Sequence, residues 1–148
     1  RCMSGEELLA AAQVYGMEVD PALLAQPLLL HGPVGAAIVA EDWGLEDAEI
    51  LEAVRRHTLP APDMGDLAKI VFLADMIEPT RRDWPGQDEL RRLAEQDMDA
   101  AMVRALEETL HYLEQRGSEP HADTLQILNQ FRDKLEGGKE EEIYDSGK

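Results

Sequence analysis

Apolar residues recur three and four positions apart along most of this chain, and no segment shows the strict alternation of a half-buried strand. Ser4 and Glu7 have the spacing of a capping box ahead of such a run, and Gly16 follows it, so the pattern predicts a helix over residues 5–15. Pro21 and Pro27 read as a connection. A second helix is predicted from about Leu28 to Trp43, closed by Gly44, with Pro33 near enough to its start to be tolerated. Asp47 caps a third, continuing to about Thr58, and the stretch LPAPDMG interrupts it. Asp66 caps a fourth that ends at Pro79. After the loop EPTRRDWPG come a short helix near 87–95, a long one from Met98 to Gly117, and a last one marked by Leu125, Leu128, Phe131 and Leu135. The expectation is an all-α helical bundle over residues 1–135, followed by an acidic, disordered tail over 136–148.

Charge narrows the function. The net charge is −17, and residues 1–54 carry one Lys or Arg against ten acids, whereas residues 55–92 carry seven against seven. An acidic chain is a poor nucleic-acid binder, because that affinity rests on cations that neutralise phosphates. The basic middle third is either a set of arginines balancing local acids or a landing zone for a small polyanion. No apolar run reaches the roughly 20 residues of a membrane span. With the single Cys2 and no signal peptide, a soluble cytoplasmic protein is the expectation.

Chemistry enters with three residues. From Ile70 to Ile77 only Asp75 is polar, at helical spacing from Ala68, Val71 and Phe72. His31 shares a face with Val34 and Ile38, and His57 with Ile50, Ala53 and Val54. All three are expected to project inward. Each alone reads as an ordinary core residue, the histidines hydrogen-bonded and the acid paired with an arginine. Together they point to a divalent cation, since a buried carboxylate costs several kcal/mol unless paired or metal-bound. Two neutral imidazoles and a carboxylate suit Fe, Mn or Zn in a site with open positions, where the metal lowers the pKa of water toward neutrality.

The fragments LLHGPVGA, RRHT, FLADMIEPTRRDWPG and HADTLQILN, in this order and spacing, resemble the HD-domain phosphohydrolases of the YqeK type, the symmetrical bis(5'-nucleosyl)-tetraphosphatases. The resemblance runs from about Ser4 to Leu135. It implies a helical bundle around a dinuclear metal centre, usually iron-containing, that hydrolyses diadenosine tetraphosphate to two ADP, with a nucleotide as partner and a homodimer as a compatible assembly. By resemblance His31 and His57 are ligands of one ion and Asp75 of the other. Arg81 resembles the family's arginine after the metal aspartate, and Arg82 looks like a one-residue addition. A guanidinium fork there suits phosphate oxygens. Lys69 and Thr58 are further substrate-binding candidates, with a solvated helix lysine and a helix-end hydroxyl as the plain alternatives. Leu59 and Pro60 replace small polar residues that commonly follow the HT motif. The family's earlier histidine and its adjacent His-Asp pair do not occur, and the first helix resembles the segment that follows that pair, so the missing ligands are expected upstream of Arg1. Two other readings compete: the same chemistry on another nucleotide, and a noncatalytic helical regulatory or interaction module. His111, His121, Trp43, Trp84 and the Met and Leu stripe over 98–113 read as structural.

Overall fold

The computed structural model describes residues 3–79 and 84–145, and within them every regular element is a helix. The first helix, α1 (Gly5–Val14), begins at the capping box: the Ser4 N–H donates to Glu7 Oε2 at 2.7 Å, and the Glu7 N–H to Ser4 Oγ at 3.3 Å. It ends in a Schellman turn. Gly16 adopts φ 63° while the Met17 N–H reaches the Ala12 carbonyl at 2.9 Å and the Gly16 N–H that of Gln13 at 3.2 Å.

The two prolines that punctuate the sequence start short helices instead of a loop. Pro21 opens α2 (Pro21–Ala25) behind Asp20, whose carboxylate accepts the Leu23 N–H at 2.8 Å. Pro27 opens a 3-10 turn, Pro27–Leu30. Proline is at home there, because the first N–H groups of a helix have no partner to lose. The 3-10 turn runs directly into α3 (His31–Glu41), which is therefore shorter at both ends than its apolar pattern suggests. Asp47 caps α4 (Ala48–Arg56), accepting from the N–H groups of Glu49 and Ile50 at 3.0 Å each, and His57 is its C-cap. In α5 (Asp66–Ile77) Asp66 is the first helical residue, and the helix stops short of Pro79, consistent with the constraint proline places on the residue before it. The remaining helices are α6 (Gln87–Gln96), α7 (Met98–Gln115) and α8 (Ala122–Asp145).

These helices divide into two compact units, Arg1–Asp75 and Met76–Lys148, where the sequence suggests a single bundle. In the first, α1 packs on the 3-10 turn and on α3, and α3 packs on α4. Leu8, Ala12, Leu23, Leu30 and Val34 form its core, with Leu29, Ile38 and Leu59 packed around them. In the second, α7 packs against both α6 and α8, and Leu90, Met102, Leu106, Ile127, Leu128 and Phe131 are buried. Trp84 anchors the entry to α6 beneath the Arg104 guanidinium, 5.7 Å from the ring centroid. Gly86 is required there, since φ is 99° and a side chain would run into Arg104 and Trp84.

One expectation is corrected. Trp43 is no core residue but 77% exposed, because it lies beyond the end of α3 in the turn made by Gly44 at φ 70°. The backbone of α8 is helical through Asp145, in a stretch rich in glutamate, a good helix former.

Candidate metal centre

His31 and His57 come together. Their imidazoles meet edge to face, with ring centroids 4.9 Å apart and planes at 76°. Both sit at helix boundaries, and each is held in the same way. The His31 Nδ1–H donates to the Leu28 carbonyl at 2.6 Å, and the His57 Nδ1–H to the Val54 carbonyl at 2.6 Å, three residues back in each case. A carbonyl oxygen only accepts, so Nδ1 must carry the hydrogen in both rings, and in the neutral imidazole Nε2 is left with its lone pair. Orientation through the ring nitrogen not used as a ligand is the usual arrangement of metal-binding histidines.

The close approach of the two rings is built into the backbone. A Cβ placed on Gly32 would lie 2.5 Å from Thr58 Oγ1, 2.8 Å from the Arg55 carbonyl and 3.2 Å from the Val54 carbonyl. Glycine after His31 is therefore what allows α3 to come against the end of α4. Pro33, third residue of α3, lacks an N–H that has no helical partner at that position. Neither Gly32 nor the carbonyls of Leu28 and Val54 stand among the site residues expected from the sequence. Their signal is the glycine following a histidine at a helix start, together with the placement of both histidines at helix ends.

His31, His57 and Asp75 are all half-buried, so the fully buried carboxylate suggested by the run Ile70–Ile77 is corrected. The buried stripe of α5 is Ala68, Lys69, Phe72 and Leu73; at ~100° per residue Asp75 falls at its edge, and Ile70, on the opposite side, is 53% exposed. Among the described residues no group of three or more His, Cys, Asp or Glu stands where it could hold a metal ion. The histidine pair thus fits a divalent cation as two nitrogen ligands of a set, and Asp75 does not join them in one cluster.

Lys69 is not a solvated helix lysine: it is 7% exposed and its Nζ lies 3.5 Å from Asp66 Oδ1, so the buried stem carries the ammonium to an exposed acid. Thr58 donates its hydroxyl hydrogen to the Leu29 carbonyl at 2.9 Å. Arg81 and Arg82 lie outside the described residues. His111 is exposed and bonded to Gln115, and His121 accepts the Asp123 N–H at 3.3 Å at the start of α8, both away from the pair in sequence and in the other unit. Among the described residues no helix is long and apolar enough to cross a membrane.

No family model matches the chain. It is 39% identical over 119 residues to a symmetrical bis(5'-nucleosyl)-tetraphosphatase of Bacillus subtilis, covering 79% of this chain and 63% of that protein. A protein of the same name from Halalkalibacterium halodurans is 42% identical over 103 residues, covering 70% of this chain and 54% of that one. The chain thus spans somewhat over half the length of these curated relatives. Among solved structures, a predicted HD superfamily hydrolase involved in NAD metabolism, from Clostridium acetobutylicum, superposes with a TM-score of 0.83 at 30% identity, covering 89% of this chain and 69% of that one. Sequence and fold agree, and the chain belongs to the HD superfamily of hydrolases.

Proposed function

We propose that this chain belongs to a metal-dependent phosphoanhydride hydrolase that splits dinucleoside polyphosphates symmetrically, taking diadenosine tetraphosphate to two ADP. The observation that carries the reading is the pair of imidazoles, ring centroids 4.9 Å apart, whose Nδ1 atoms are spent on backbone carbonyls, leaving two Nε2 lone pairs for a cation. Membership in the HD superfamily implies a divalent metal. His31 and His57 would hold one ion and Asp75 a second, with iron as the expected metal and manganese as an alternative. When bound, the metal supplies Lewis-acid chemistry, screening phosphate charge and acidifying water.

The chain's own residues supply position and charge. The Leu28 and Val54 carbonyls fix the tautomer and plane of each imidazole, so no reorientation is needed when a cation arrives. Arg81 and Arg82 are assigned to nonbridging phosphate oxygens, for which a planar guanidinium is suited through paired N–H donors, and charge building up on those oxygens would strengthen the contact. Support for the substrate comes from the relatives, named as symmetrical tetraphosphatases at 39% and 42% identity.

A second reading keeps the chemistry and changes the nucleotide, favoured by the description of the solved relative as involved in NAD metabolism. One assay separates them. The full chain, loaded with Fe2+ or Mn2+, is given diadenosine tetraphosphate or NAD+, and the products are resolved by chromatography. ADP as sole product, lost in His57→Ala, is the expected result. AMP with ATP, cleavage of NAD+ alone, or undiminished hydrolysis by His57→Ala would overturn the primary reading. A noncatalytic module would bind no metal and cleave neither substrate.

A further inference from the structure

We infer that Thr58 is a positioning residue, a hydroxyl strut that sets the separation of the two imidazoles; the inference rests on the metal reading above. Each histidine is fixed only to its own local backbone, His31 to Leu28 in the 3-10 turn and His57 to Val54 in α4. Those bonds set how each ring is turned. They do not set how far apart the rings stand, which depends on how the 3-10 turn and the start of α3 sit against the end of α4. Thr58 Oγ1 bridges these two segments by donating to the Leu29 carbonyl at 2.9 Å. The bridge is placed at the site itself. Its donor is the residue after His57, and its acceptor is the residue after Leu28, the carbonyl that orients His31. Leu30, next along, is 1% exposed, so the acceptor end is tied to the core.

Gly32 makes room for the strut, since a Cβ there would stand 2.5 Å from Thr58 Oγ1. Because the hydroxyl hydrogen is spent on Leu29, Thr58 is poorly placed to donate to a phosphate, and its contribution runs through the ligands. Partners that orient metal ligands typically change cation affinity 10–100-fold when removed.

The test compares Thr58→Val, which keeps the β-branched shape and loses the hydroxyl, with Thr58→Ser, which keeps the hydroxyl. In the full chain without metal, the ring-to-ring NOE between His31 and His57 should weaken in the valine variant and persist in the serine one. Titrated with Mn2+ alone, Thr58→Val should bind about 10-fold or more weakly, with Thr58→Ser restoring the wild-type affinity. A lowered melting temperature in Thr58→Val with wild-type Mn2+ affinity and an intact NOE would show a merely structural hydroxyl and overturn the inference while leaving the metal reading in place. A wild-type chain that binds no Mn2+ overturns both.

Discussion

Gly32 and Thr58 stand closer than any residue with a side chain at position 32 would permit, a Cβ there lying 2.5 Å from Oγ1 and 2.8 Å from the backbone carbonyl of Arg55. The hydroxyl can turn away, but the carbonyl cannot move without the helix. Gly32→Ala is therefore expected to destabilise the fold by about 1–3 kcal/mol, the usual cost of overpacking, despite alanine's better helix propensity. Urea unfolding of the two proteins measures it.

The histidines themselves should behave differently. Both are half-buried, so His31→Ala and His57→Ala should each leave the metal-free fold largely intact. What each should remove is the rise in melting temperature that a divalent cation gives the wild type, because stabilisation by a ligand follows its affinity for the folded state. Thermal scans with and without Mn2+ check this. A wild-type-like rise in either variant would mean that the cation sits elsewhere.

Much of this was legible in the residues. The order of the helices, the caps at Ser4 and Asp47, and the stops at Gly16, Gly44 and Gly117 follow from local chemistry, which acts over a few positions. From their faces His31, His57 and Asp75 were all expected to project inward, and of these the two imidazoles meet. What escaped were features set by tertiary context: prolines 21 and 27 starting helices, Asp75 at the margin of the buried stripe, and Lys69 inside it. The exposed Trp43 shows the same limit, since an aromatic residue past a helix end has no periodicity to reveal its side. The carbonyls that orient the imidazoles carry no side-chain signal at all.

That contrast gives a paired prediction. Leu30, 1% exposed beside His31, should cost about 2–5 kcal/mol on replacement by alanine, whereas Trp43→Ala, at 77% exposure, should change stability by no more than about 0.5 kcal/mol. Denaturant midpoints of the two variants rank them.

Acid should weaken the first turn of α1. The Ser4 backbone N–H, and after it the Ser4 hydroxyl, hold the Glu7 carboxyl below the ordinary carboxylate range. A carboxyl whose folded pKa is depressed contributes stability that is full above its unfolded pKa and is lost as pH falls through the lower, folded value. The stability difference between wild type and Glu7→Gln should thus be constant near neutrality and shrink below the ordinary carboxylate range. Ser4→Ala, which removes the cap itself, should cost about 1 kcal/mol at neutral pH.

Two imidazoles, tied back through Nδ1, should offer both Nε2 atoms to one cation. Long-range 1H–15N spectra of the histidine rings, recorded on the full chain before and after one equivalent of Zn2+, read this directly. His31 and His57 should both be Nδ1–H tautomers without metal, and both Nε2 resonances should shift together when zinc is added. A hydrogen on Nε2 of either ring in the metal-free protein, or a zinc response confined to one of the two, would contradict it.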